Sequence, residues 1–391
     1  MKTIRLIRPI RLILKKTLQM KKKIINDNPN EESAATNIWE KARAERIPIL
    51  GSIELTRRCN LKCPYCYVGF ARNIPSENEL NREEICSLFD QFAEKGCLFL
   101  TFTGGEPFFH DDFRSIYRYA LQKGFLITIF TNGTLIDREM ADFLANYPPL
   151  TIDITIFGAT EDIYERVSGV KGSYQRCRKA IKLLDERTIP FGLKSVISTI
   201  NREEIREMKK FAEGFGKQFR FDTLICPDLN GSHHGTKYRL SPREIIQLDY
   251  KDPERWKRWL SFDCREWGPA QSDRLYKCGG GLCSFHVSSS GQLGLCVLDT
   301  NFRYDLIKGS FQDGWERFIP WVRKKIAQEG NKCGSCEIRS LCSICPAWST
   351  LETGSPEKSV DFLCQIAHFR ATLLKKARRK HNEKKETISK A

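Results

Sequence analysis

The chain has 391 residues, 41% hydrophobic and 29% charged, enough to bury a sizeable core, so a wholly disordered protein is excluded. Its formal charge of +16 is concentrated at the ends: residues 1–26 hold nine Lys or Arg and no acid, and residues 375–391 hold eight basic and two acidic residues. These tails supply fifteen of the sixteen net charges, the body is nearly neutral, and no basic nucleic-acid cleft is implied.

In chain order, residues 1–46 form a basic tail whose first 25 residues, MKTIRLIRPIRLILKKTLQMKKKII, mix apolar and cationic side chains. Such a segment is solvated, docks a partner, or lies as an amphipathic helix on an anionic membrane. Its longest apolar run, residues 12–14, is too short for a signal peptide or a membrane span, and no later segment could cross a bilayer. A cytoplasmic protein is expected.

Residues 47–225 alternate between two periodicities. The runs at 47–55, 98–102, 125–130, 150–157, 191–198 and 219–225 are rich in β-branched and aromatic residues and predict strands. The runs at 82–96, 111–124, 137–147, 172–187 and 201–216 carry apolar residues at helical spacing, several with Asn, Asp or Ser caps and closing Gly. Six strands alternating with five helices predict an α/β unit with a parallel sheet and right-handed crossovers. Chemistry in such a sheet gathers at the carboxyl ends of the strands. There stand Cys59, Cys63 and Cys66 after the first strand, TGGEP (103–107) after the second and TNG (131–133) after the third. Residues 226–274 read as a bridging region of loops and short helices, residues 275–374 as a second, metal-ordered domain, and residues 375–391 as a basic C-terminal tail.

Sixteen cysteines without a secretion signal point to metal binding or catalysis rather than disulfides. Five (Cys86, Cys97, Cys177, Cys226, Cys264) are scattered singly and read as small core hydrophobes. Three thiolates do not close a tetrahedral zinc site, which takes four ligands. The run C-x3-C-x2-C can instead hold three corners of a cubane 4Fe–4S cluster and leave one iron open for a small molecule, with Tyr67 beside that ligand. Gly104 and Gly105 let backbone groups approach a ligand closely, and Glu106 can take a charged amine. The remaining eight run Cys278-x4-Cys283-x12-Cys296, then Cys333-x2-Cys336-x5-Cys342-x2-Cys345-x18-Cys364. They make two four-cysteine sites, for which spacing leaves zinc and iron–sulfur both open.

Cys59, Cys63, Cys66 and Tyr67, followed in strand order by Gly104, Gly105, Glu106 and Pro107, closely resemble the radical S-adenosylmethionine (SAM) superfamily over residues 48 to 225. The resemblance implies a partial (β/α)6 barrel and a 4Fe–4S cluster whose open iron is chelated by SAM. Reductive cleavage of SAM to a 5′-deoxyadenosyl radical and hydrogen abstraction from substrate are implied with it. It places Gly104, Gly105 and Glu106 at the methionine amine, Thr131 and Asn132 near the ribose or carboxylate, and Ser195 and Ile197 near the adenosyl group. The later cysteines, with Gly291-x4-Cys296, resemble the SPASM extension of peptide- and protein-maturing enzymes, although Cys342-x2-Cys345 is one residue shorter than its usual last spacing. That resemblance assigns Cys278, Cys283, Cys296 and Cys345 to one auxiliary 4Fe–4S cluster and Cys333, Cys336, Cys342 and Cys364 to another.

Closed auxiliary clusters suit electron transfer, so the expected reaction is oxidation or cross-linking of a peptide or protein side chain. It would be served by a low-potential donor such as flavodoxin or ferredoxin and by a separate peptide-recognition partner or the N-terminal tail. Asp299 and Asp222 are the candidate proton acceptors. Cys226 is an inert loop cysteine or a substrate contact, and His233 and His234 form an exposed polar loop or a metal or proton site. The competing readings are a small-molecule dehydrogenase, a nucleic-acid modifier acting through the tails, and a zinc-stapled binding protein without catalysis.

Overall fold

The computed structural model describes residues 34–69, 78–261, 272–328 and 332–389. After a first helix, α1 (Ala34–Ala44), six parallel strands follow in sequence: β1 (Leu50–Thr56), β2 (Phe99–Gly104), β3 (Leu126–Thr131), β4 (Thr151–Thr155), β5 (Phe191–Val196) and β6 (Phe219–Asp222). Each pairs with the next, from Leu50 opposite Phe99 to Val196 opposite Asp222. Adding every strand on the same side, without a reversal, curls a twisted sheet toward a barrel.

The crossovers carry α2 (Arg82–Glu94), α3 (Phe113–Gln122), α4 (Arg138–Asn146), the pair α5 (Glu161–Ser168) and α6 (Ser173–Glu186), and α7 (Ile205–Glu213). Asn81 starts α2 with a reciprocal cap: its Oδ1 accepts from Glu84 N at 2.9 Å, and its own N donates to Glu84 Oε2 at 2.8 Å. The sequence pattern missed α5. This short helix was passed over although its sequence carries start and stop signals, Thr160 at the N-cap, Glu161 and Asp162 in the first turn and Gly169 at the C-cap.

Strand alternation sorts the side chains. Ile53, Leu55, Leu100, Phe102, Ile127, Ile129, Ile152, Ile154 and Leu193 are all fully buried, on the face packed by helices, where Phe102 stacks on Phe89 at 5.8 Å and meets Tyr117 edge-on at 6.2 Å. The other face is polar: Ser52 lies opposite Thr101 and that opposite Thr128, Glu54 lies opposite Thr103, and Lys194 lies opposite Arg220.

The sheet continues past β1. Residues C-terminal to the bridging region supply β7 (Ser284–Val287), parallel to β1 from Leu50 opposite Ser284 to Ile53 opposite Val287, and then the antiparallel β8 (Gln292–Gly294) and β9 (Tyr304–Asp305). The complete order is β6-β5-β4-β3-β2-β1-β7-β8-β9. The C-terminal cysteine region is thus hydrogen-bonded into the same sheet as the N-terminal unit.

Between β6 and β7 lie α8 (Pro242–Lys251) and α9 (Pro253–Ser261). The chain closes with α10 (Pro346–Thr353) and the long α11 (Asp361–Ser389). α11 is pinned to α8 by a buried ion pair, Arg370 Nη2 lying 3.0 Å from Asp249 Oδ2, and Arg255 Nη2 on α9 lies 2.6 Å from the other oxygen, Asp249 Oδ1. No helix among the described residues is long and apolar enough to cross a membrane. The basic tail at residues 1–26 and Cys264 lie outside the described residues.

Candidate active site at the strand ends

The glycines after β2 face the chain leaving β1. Gly105 N donates to the Thr56 carbonyl at 2.8 Å and Glu106 N to the Arg58 carbonyl at 3.0 Å. Gly104 has φ +136°, and a Cβ there would lie 2.1 Å from the Thr56 oxygen; a Cβ on Gly105 would lie 2.3 Å from the carbonyl oxygens of Arg57 and Arg58. Sequence reasoning expected these glycines to admit a ligand. In the structure their closest approach is to residues 56–58, the backbone that delivers Cys59.

Glu106 is fully buried. Its Oε1 accepts from Thr131 Oγ1 at 2.7 Å and from Phe108 N at 3.2 Å, and its Oε2 accepts from Asn132 N at 2.8 Å. Burial pushes its pKa up to about 7 against the pull of these donors. The carboxylate therefore clamps the end of β2 to the end of β3, and all three of these donors come from the protein.

Asn132 carries the clamp to the cysteine loop. Its Nδ2 donates to Asn60 Oδ1 at 3.0 Å and lies 3.8 Å from Cys59 Sγ, while Asn60 Nδ2 donates to Thr134 Oγ1 at 2.8 Å. α5 holds the loop from beneath through a bond from Lys62 N to the Ser168 carbonyl at 2.7 Å. Cys59, Cys63 and Cys66 are half-buried. Burial pushes the Cys59 thiol up to about 12, with Glu106 and Cys66 adding to the effect, so a metal bound here must displace the proton. Cys63, Cys66, Cys226, Asp228 and His234 line a cavity of about 170 Å³. An open cavity of about 630 Å³ lies at the same end of the sheet, between Arg58, Glu79, His110 and Ser290.

The Tyr67 phenol hydrogen-bonds Thr103 on the polar face, and burial, with Glu54 nearby, raises its pKa. Ser195 is buried on the strand side it shares with Phe191 and Leu193, and its Oγ donates to the Val196 carbonyl at 3.4 Å. That is a helix-facing position by strand alternation. Asp222 is exposed and caps its own turn, accepting from Leu224 N at 2.9 Å.

Asp299, by contrast, is fully buried. Its Oδ1 accepts from Tyr276 Oη at 3.0 Å and from Asn301 N at 3.2 Å, while its Oδ2 has no hydrogen-bond partner among the described residues. Burial raises its pKa, with Tyr276 and Arg303 opposing.

The C-terminal thiols fall into neighbourhoods. Burial raises the Cys342 and Cys364 pKa values, and Cys333 and Cys336 raise both further. Cys345 sits beside Cys278, Cys296 and Asp299. Cys283 is buried at the start of β7 against Ala42 and Ile49. Among the described residues, no three of His, Cys, Asp and Glu are gathered around one point as a single metal ion would require.

Sequence reasoning passed over the polar residues between these two regions. Glu54 is buried on β1, its Oε1 3.8 Å from His286 Nε2 and without a hydrogen bond among the described residues, its Oε2 3.3 Å from Arg57 Nε. His286 on β7 shares a 2.9 Å hydrogen bond with Ser52, and burial, with Arg303 and Arg57, lowers its pKa to about 3. Arg303 lies within electrostatic reach of Asp299, Cys296 and Glu54. The one available signal was a carboxylate inside an apolar strand, Ile53-Glu54-Leu55.

Residues 53–213 match the sequence model of the Radical SAM superfamily, and their ends of β1, β2 and β3 carry the cysteine loop, the glycine-glutamate turn and the Asn132 loop just described. The chain carries a radical SAM domain. Its superfamily is one of enzymes whose cofactors are SAM and a 4Fe–4S cluster, and the three-thiol loop, with an Asn132 amide donor beside Cys59, has the donor chemistry for that cluster. This radical SAM protein is 26% identical over 331 residues to the AdoMet-dependent heme synthase of Methanosarcina barkeri, covering 78% of this chain and 93% of that one. It is 28% identical over 360 residues to the PqqA peptide cyclase of Bradyrhizobium diazoefficiens, covering 85% and 90%. Its fold is shared by Streptococcus suis SuiB bound to precursor peptide SuiA, with TM-score 0.63, 19% identity and coverage of 90% of this chain and 88% of that one.

Proposed function

We propose that this radical SAM enzyme modifies a peptide or protein side chain oxidatively, by dehydrogenation or cross-linking. The observation that carries this reading is the pairing of two thiol-bearing regions through one buried polar face. Cys59, Cys63 and Cys66 lie at the strand ends, Cys278, Cys296 and Cys345 lie near Asp299, and Glu54 and Arg303 stand between them. The peptide cyclase relative and the peptide-bound structural neighbour support a peptide substrate.

In this reading Cys59, Cys63 and Cys66 would hold the SAM-binding cluster, and SAM bound there would supply radical, hydrogen-abstracting chemistry. Tyr67, Gly104, Gly105, Glu106, Pro107, Thr131 and Asn132 shape the SAM side, where Glu106 acts as the clamp between the loops rather than as the direct amine partner. Ser195 contributes from behind the strand. Cys278, Cys283, Cys296 and Cys345 hold one auxiliary 4Fe–4S cluster, and Cys333, Cys336, Cys342 and Cys364 hold the second. Asp299 takes the substrate proton: it is buried and has a carboxylate oxygen to spare, whereas Asp222 is exposed and bonded to its own turn. A flavodoxin or ferredoxin supplies electrons, and peptide recognition falls to a separate partner or to the N-terminal tail, which could also touch a membrane. Residues 275–374 act as the auxiliary-cluster unit.

A small-molecule substrate is the second reading, favoured by the match to 93% of the length of the heme synthase. The test is anaerobic purification with iron and sulfide analysis, then dithionite and SAM, with 5′-deoxyadenosine as the readout. About twelve irons per chain and 5′-deoxyadenosine support the proposal. Zinc in place of iron, with SAM intact, overturns it in favour of a zinc-stapled binding protein.

A further inference from the structure

The C-terminal cysteines reach the surface at one place. Cys278 is exposed beside the exposed Lys277, and Arg323 Nη1 donates to the carbonyls of Cys278 and Gly280 at 2.6 and 2.8 Å. Arg274 donates through Nη1 to the Lys324 carbonyl at 2.6 Å, which holds the two basic segments side by side. Arg274, Lys277, Arg339 and Lys358 line a narrow cleft that also contains Cys333 and Cys345. Among the described residues, Glu357 is the acid that lines the cleft and Asp273 acts on Lys277, and Glu357 already accepts from Gln328 N at 2.7 Å. In a chain whose body is nearly neutral, this is a local excess of positive charge.

An uncovered apolar surface adjoins it. Trp321 is 52% exposed and Ile326 60%. Ile326 bridges to Arg274, and the Lys325 ammonium lies 3.8 Å from the Trp321 ring centroid and 4.7 Å from that of Phe302. An exposed aromatic anchor with a basic rim is the composition of a protein-binding patch. The exposed thiol at its margin says which kind of partner gains from docking there, because electron transfer needs close approach and a short-lived complex. Interfaces of that kind are small and steered by charge.

We propose that this face, from Trp321 and Ile326 across Lys324, Arg274 and Lys358 to Cys278, is the docking site for a small acidic electron-transfer protein. The inference rests on the auxiliary-cluster reading above. In each encounter the partner's reduced flavin or iron–sulfur centre loses one electron, and the centre held by the cysteines beneath gains it. No atom is transferred.

The test uses the full-length, iron-loaded enzyme and a strongly acidic flavodoxin as probe, with the dissociation constant measured directly at about 50 and about 300 mM salt. The wild type should lose at least about tenfold in affinity between the two. K324E/K358E should weaken low-salt binding by at least about tenfold, and W321A/I326S, which leaves the charges in place, should weaken binding at both salts. Dithionite, which needs no docking, should reduce all three proteins at the same rate. Unchanged flavodoxin affinity in both variants overturns the docking site, as does a weakening accompanied by equally slowed dithionite reduction, which would mean a damaged iron site. The same preparation is assayed for iron. About four irons per chain overturns the auxiliary-cluster reading together with the docking inference, whereas about twelve with unchanged affinity overturns the docking alone.

Discussion

Glu106 is the position at which one substitution should test the architecture of the strand ends. Its carboxylate accepts from two backbone N–H groups, Phe108 and Asn132, and from the Thr131 hydroxyl. Glu106→Ala leaves both N–H groups buried without partners, because the Thr131 hydroxyl can rotate and the amides cannot. At about 1 to 3 kcal/mol for each unpaired buried donor, the loss is about 2 to 6 kcal/mol. Glu106→Gln keeps the shape but turns an NH2 toward one of the three donors, which costs about 1 to 3 kcal/mol, partly offset because the neutral amide escapes the burial penalty that raises the carboxyl pKa to about 7. Urea unfolding of the metal-free protein measures both variants. Because Asn132 touches both Asn60 and Cys59, SAM cleavage by the reconstituted enzyme should fall in the same order, Ala below Gln below Glu. If both variants unfold within about 0.5 kcal/mol of wild type, Glu106 does not join the loops, and the clamp described above is wrong.

Gly105→Ala should abolish 5′-deoxyadenosine formation, because its Cβ would lie 2.3 Å from two carbonyl oxygens of the segment entering Cys59; a variant with wild-type turnover would show that segment to be free to move. Lys194 on the polar face has its pKa lowered to about 8 from 10.5, chiefly by burial, with Asp153 opposing and Arg220 assisting. Between those two values the unfolded chain binds more protons than the folded one, so stability should rise with pH through that window. Lys194→Met should remove this rise, which urea titrations near pH 8 and pH 10 would detect. Arg370→Ala should destabilise by no more than about 3 kcal/mol, since Arg255 still pairs Asp249. An Arg255→Ala/Arg370→Ala double variant should lose more than the two single losses combined.

Much of this fold is written in local periodicity. Runs such as LTIDITIF alternate apolar and polar residues, and that alternation becomes the split between the helix-packed Ile152 and Ile154 and the inward Asp153. Cys59, Gly104 and Thr131 stand directly after or at the ends of parallel neighbours, so chain order alone brings them to one edge of the sheet. The rest depends on contacts that are distant in sequence. Ser284–Val287 is four residues long in a cysteine-rich stretch, and it is a strand because β1 offers it a partner more than two hundred residues away. That Gly104 and Gly105 also lie against residues 56–58 is visible only in the folded backbone. Glu54 is more than two hundred residues from His286 and Arg303, and no spacing rule links them.

The pairing of β1 with β7 also sets an order of events in synthesis. β2 can cover one side of β1 soon after both strands emerge, but the other side stays open until residue 287 has been made. A nascent chain or a fragment ending in the bridging region therefore exposes the backbone groups of β1 as a ready template for another strand. The strand left open is the one that leads into Cys59, Cys63 and Cys66. Truncation to the N-terminal strands should give a chain that self-associates through that edge, so the C-terminal region protects the cysteine loop from misassembly before it takes part in any chemistry.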